Sequence, residues 1–157
     1  MLRSLQLLPL AFYLAFSLPA AAAPDSSIKG EVIVAKTQGN AIVLWDITQS
    51  VAALVATPSS HDEKIRDVEL QASEILLAHL AEMSAASTVE VRALYQRNGD
   101  VSPIYKTATF AGVERLLTIT ATYAAAVKNK AAWEKQLAAG AMPSGITVEV
   151  TGDLPPR

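Results

Sequence analysis

The sequence predicts an α+β domain in two layers, with two helices packed on a mostly antiparallel sheet of about five to six strands. Three observations carry this expectation. Residues 60–86 repeat apolar side chains at helical spacing, several shorter stretches alternate apolar and polar residues, and turns of hairpin type separate some of those stretches. The predicted order is β-β-α-β-β-β-α-β within one domain spanning residues 28–151.

The first two strands form a hairpin. Ile28, Val32 and Val34 alternate over residues 28–36, and the turn Thr37-Gln38-Gly39-Asn40 offers Gly39 and Asn40 for positive φ. Over residues 41–48 both faces are apolar, Val43, Trp45 and Ile47 on one and Ile42 and Leu44 on the other, as in a strand covered on both sides or central in its sheet. Asp46 interrupts the second face, so it needs a partner or a place at the exposed end of the strand. Residues 51–57 are apolar but short, and fit strand or loop.

The long helix begins with a capping box, Ser60 and Glu63, and carries Asp62 and Glu63 in its first turn, where the helix dipole favours negative charge. Ile65, Val68, Ala72, Ile75, Leu76, Leu80 and Met83 make one apolar stripe. Leu70 and Leu77 fall outside it, roughly 120–140° around the helix from Ile65, and are candidates for a second packing face.

Residues 88–96 alternate again, with Val89, Val91, Ala93 and Tyr95 opposite Glu90, Arg92 and Gln96. Asn98-Gly99 is a strong hairpin signal, predicting a returning strand over 101–110 that places Tyr105 opposite Arg92. Pro103 assigns that strand to a sheet edge, which a peptide could extend or which the proline could block. Residues 117–123 read Leu-Thr-Ile-Thr-Ala-Thr-Tyr, a half-buried strand. Residues 124–139 are rich in helix formers, with Ala126, Trp133 and Leu137 sharing a face and Gly140 and Pro143 placed to end it. A last strand covers 146–151, and 152–157 reads as a loose tail.

The amino terminus bears on location. Met1, Leu2 and Arg3 form a short basic start, residues 5–18 are mostly apolar, and Pro19 to Ala23 are small or helix-breaking. This is the layout of a secretory signal peptide cut after Ala22, leaving a leader at 23–27. The apolar run falls short of the roughly 20 residues that span a bilayer, and Pro9 and Pro19 interrupt it, so no stable membrane anchor is expected after cleavage. Removing residues 1–22 leaves 135 of 157 residues, with 12 basic against 15 acidic side chains, because Arg3 is the only charge lost. No Lys or Arg cluster is present to hold nucleic acid.

There is no cysteine, which excludes disulfides, thiolate metal ligands and a thiol nucleophile. His61 and His79 are separated by about 27 Å if both lie on one helix, too far to share a metal ion. Glycine-rich phosphate loops and a Gly-x-Ser-x-Gly elbow are absent. No cofactor or metal is expected, and the catalytic residues of any activity are unassigned. The sequence therefore leads to a small exported, non-catalytic binding or accessory protein of the bacterial periplasm or extracellular space, whose partner is another protein or a second copy of itself. Leu70, Leu77, Arg92, Gln96 and Tyr105 are its candidate contact residues, as an off-stripe leucine pair and a tyrosine–arginine surface. Two alternatives stand beside it. One is a small hydrolase using carboxylates brought together by the fold, among them Asp46, Asp100 and Glu114. The other is a homo-oligomeric structural component assembled through Leu70, Leu77 and a sheet edge.

Overall fold

A computed structural model describes residues 28–97 and 112–156. Within them the elements are β1 (Glu31–Thr37), β2 (Asn40–Asp46), α1 (Thr48–Ala56), α2 (His61–Ala78), a 3-10 turn (Leu80–Met83), β3 (Thr88–Gln96), β4 (Val113–Thr122), α3 (Tyr123–Ala138) and β5 (Thr147–Val150). The strands form one sheet in chain order, β1-β2-β3-β4-β5. Three of its four pairings are antiparallel, and β2 with β3 is parallel. The fold is α+β, as expected, with a third helix.

The first hairpin turns in two residues, with Thr37 paired to Asn40 and Gly39 at φ 78°. From β2 the chain cannot turn tightly into a parallel neighbour, so it returns through α1, α2 and the 3-10 turn. Side chains at alternate positions then meet on one face of the sheet. Val43 and Trp45 of β2, Val89 and Val91 of β3, and Leu117 and Ile119 of β4 are buried in a single core. Val68, Ala72 and Leu76 of α2 and Ala126, Trp133 and Leu137 of α3 join that core from the helical layer.

Three expectations change. Residues 51–57, undecided between strand and loop, lie mostly in α1. The signal was the spacing of Val51, Leu54 and Val55, which keeps one side of the short helix against the sheet. The helix expected over 60–86 ends at Ala78. Leu80 and Met83, both buried, continue its apolar stripe from a 3-10 turn, where residues three apart lie one above the other. Periodicity alone does not separate these two geometries. Finally, both ladder neighbours of Arg92 are occupied, Leu44 of β2 on one side and Thr118 of β4 on the other. That overturns the cross-strand pairing of Arg92 with Tyr105, which itself lies outside the described residues, as does the expected strand over 101–110.

The capping box at Ser60 is present in full. The Ser60 hydroxyl accepts from the Glu63 backbone N–H, and the Glu63 carboxylate accepts from the Ser60 N–H at 2.8 Å, which holds the Glu63 pKa below its ordinary value. No helix among the described residues is long and apolar enough to cross a membrane.

Leu77, proposed as a surface contact, is 5% exposed and part of the core. α2 packs both on the sheet and on its neighbour α3 in the helical layer, so burial on it extends beyond a single stripe. Leu70 is half-buried against the same core. Leu77→Ala is expected to destabilise the fold by about 2–5 kcal/mol, and Leu70→Ala by distinctly less, as urea denaturation midpoints will show.

Candidate functional site

The site begins where β2 stops. Asp46, the last residue of that strand, accepts from the Thr48 backbone N–H at 3.0 Å and from the Thr48 hydroxyl. It thus has both the partner and the strand-end position that its charge requires. Ile47, between them, donates its N–H to the Leu94 carbonyl at 2.8 Å, and the Thr48 hydroxyl oxygen accepts from the Gln96 N–H at 2.9 Å. Together these bonds fasten the first turn of α1 to the end of β3.

The far end of α1 is fastened by a cation. Lys64 of α2 is only 7% exposed, and its ammonium donates to the Val55 carbonyl at 2.9 Å. Carbonyls in the last helical turn lack intrahelical partners and carry the negative end of the dipole, so a lysine there satisfies both demands. The Thr57 hydroxyl donates to the Leu54 carbonyl at 2.7 Å in the same turn.

The carboxyl-terminal segment supplies the other wall. The expectation of a loose tail from residue 152 is corrected, because the backbone is anchored through Leu154. The N–H groups of Thr151 and Gly152 both donate to the Leu116 carbonyl, at 3.0 and 3.1 Å. Gly152 lies so close to the Arg115 carbonyl that any Cβ there would collide with it. The Tyr95 phenol donates to the Asp153 carbonyl at 2.7 Å, and Leu154 is buried in the core.

Between these walls lies a cleft of about 530 Å³. Much of its lining is apolar, formed by Val51, Ala52, Val55 and Ala56 of α1 together with Pro155 and Pro156. Tyr95, Gln96 and Arg97 come off β3 beside Thr48. A smaller cavity of about 300 Å³ adjoins it, sharing Val55 and the two prolines and bounded by His61, Lys64 and Asp153. The larger cleft opens at the carboxyl ends of β2 and β3, the parallel pair. In open α/β sheets the crevice outside the carboxyl ends of parallel strands is the usual ligand site.

Charges at the polar end are paired. Arg97 Nη2 lies 3.0 Å from Glu114 Oε1. Burial raises the Tyr95 pKa above its ordinary value, Glu114 and Asp153 push it the same way, and Arg97 opposes them. In the adjoining cavity His61 Nε2 is 3.4 Å from Asp153 Oδ1.

Of the described residues expected to make contacts, Gln96 alone lines the cleft. It is 6% exposed, a buried wall residue rather than part of an outer surface. Arg92 is half-buried and held by Glu90 through two hydrogen bonds of 2.8 and 3.1 Å. Of the carboxylates named for the hydrolase alternative, the two among the described residues do not line the cleft. Asp46 is engaged by Thr48 and Glu114 by Arg97, neither belongs to the cleft wall, and Asp100 lies outside the described residues. His79 Nδ1 lies 2.7 Å from Glu82 Oε1. Among the described residues no group of three or more His, Asp or Glu side chains gathers around a possible ion position. Val51, Val55, Tyr95, Pro155 and Pro156 were missed as site residues, since their union depends on packing between segments far apart in the chain.

Comparison with protein-family models, curated proteins and solved structures finds no match to this chain.

Tyr95→Phe removes the anchor of the tail. It is expected to cost about 1 kcal/mol of stability and to speed hydrogen exchange at Asp153 and Leu154. Because the folded-state pKa of Tyr95 is raised, its contribution is complete below its unfolded value of 10.0 and is lost as pH rises through the folded value. The wild-type protein should therefore lose stability at strongly alkaline pH by more than Tyr95→Phe does, measured by denaturant titration at each pH.

Proposed function

We propose that this chain is a small exported binding protein that acts without catalysis, and that the cleft between α1, the end of β3 and Pro155–Pro156 holds its ligand. The observation that carries this reading is the cleft itself. Its volume falls within the roughly 300–1,000 Å³ of small-molecule sites, and like them it joins an apolar wall to a few convergent polar groups. Its walls are fixed by the hydrogen bonds of Thr48, Lys64 and Tyr95. The export half of the proposal rests on the signal-like amino terminus, and the envelope or extracellular space is the corresponding place of action.

The placement of the leucines supports a ligand over a second copy of the chain docked through Leu70 and Leu77. Leu77 belongs to the core and Leu70 is packed against it, so they offer no open leucine pair to another subunit.

Two measurements test the two halves. An environment-sensitive apolar dye is expected to bind the protein saturably. Ala52→Trp, at an exposed position of the cleft wall, should fill the cleft and abolish that binding while leaving the circular dichroism spectrum unchanged. Dye binding that persists in Ala52→Trp would overturn the assignment of the cleft. For export, the chain expressed in a Gram-negative host should be recovered from the periplasm beginning at Ala23, as amino-terminal sequencing would establish. Recovery from the cytoplasm beginning at Met1 would overturn it.

A further inference from the structure

We infer that the cleft takes an amphiphile with a single anionic head, its apolar chain laid along α1 and its head on the guanidinium of Arg97. The inference rests on the reading of the cleft as a binding site and assigns the class of ligand. Polar and apolar groups in the cleft are segregated rather than mixed. Val51, Ala52, Val55 and Ala56 present four small or β-branched apolar side chains along the helix, and Pro155 and Pro156 add to the apolar lining. A ligand matching that half is an alkyl or similarly slender apolar group.

The other half selects the head. The Thr48 hydroxyl is committed, donating to Asp46 and accepting from the Gln96 N–H. The Tyr95 hydroxyl is committed to the Asp153 carbonyl, so its ring serves as wall. Among the described wall residues Arg97 carries the one charge. Its side chain is 71% exposed, and Glu114 engages it through Nη2 alone among its described contacts. A guanidinium offers five N–H donors in a fixed fork, which leaves an edge to receive a carboxylate or a comparable anion.

The neighbouring charges set the limits of this preference. Glu114 opposes a second anion at Arg97, which favours a head of one negative charge over a dianion. Across Pro155 and Pro156, the Lys64 ammonium is held by the Val55 carbonyl, and Asp153 faces His61. Arg97 is therefore the cation presented to the main cleft.

Decanoate, decan-1-ol and decyltrimethylammonium, titrated into the purified chain by calorimetry below their aggregation limits, separate the contributions of tail and head. Decanoate is expected to bind about tenfold more tightly than decan-1-ol, with the cation weakest, since a hydrogen bond to a charged group corresponds to that order of preference. Arg97→Gln should erase the gap between decanoate and decan-1-ol. Glu114→Gln, which frees the guanidinium, should widen it. Ala52→Trp should abolish binding of all three. Equal binding of decanoate and decan-1-ol, unmoved by Arg97→Gln, would overturn the anionic head while leaving the cleft as an apolar site. Absence of binding by any of the three, or binding that survives Ala52→Trp, would overturn the head assignment together with the cleft reading beneath it.

Discussion

The parallel pairing of β2 with β3 is the constraint from which the rest of the molecule follows. Antiparallel neighbours can be joined by a two-residue turn, and β1 and β2 are. Parallel neighbours require the chain to travel back along the sheet before it can pair. α1, α2 and the 3-10 turn make that return, and their apolar sides cover the face of the sheet that β2, β3 and β4 leave open. The same constraint brings the carboxyl ends of β2 and β3 to one edge of the domain, with the first turn of α1 bonded across them through Ile47 and Thr48. The cleft is thus a product of topology before it is a product of any individual side chain.

Much of the fold was readable in the residues because local and global demands agree. Trp45 alternates with Ile42 and Leu44 as a strand should, and the Ser60–Glu63 box forms as written. The Leu-Thr-Ile-Thr-Ala-Thr run also lies in a strand, its apolar members inward. The failures have physical causes. α1 begins at Thr48 without a side-chain cap on its own N-cap residue, Ile47; Asp46, at the end of the preceding strand, bonds to the Thr48 N–H instead. Read locally, Asp46 was only an interruption of an apolar face. Leu77 looked like a surface residue because one apolar stripe on α2 was enough for the sheet, and nothing in the helix itself announced that α3 would pack on another side.

The cleft was less legible still. Thr48, Tyr95 and Pro155 belong to three segments whose meeting depends on strand order and on the path of the tail. Tyr95 was assigned correctly to the apolar side of β3, but its hydroxyl bond to the Asp153 carbonyl, 58 positions later, has no signature in sequence. Gly152 has one only in retrospect, as the residue that lets the tail pass against the Arg115 carbonyl.

The bond from Lys64 to the Val55 carbonyl has a further meaning for the thermodynamics of association. It ties the last turn of α1 to the first turn of α2, so the two helix ends cannot part without breaking it. A wall held in this way has little configurational freedom left to surrender when something settles against it. On the proposed reading of the cleft as a binding site, each contact then needs to supply less, because that wall is ordered before anything arrives.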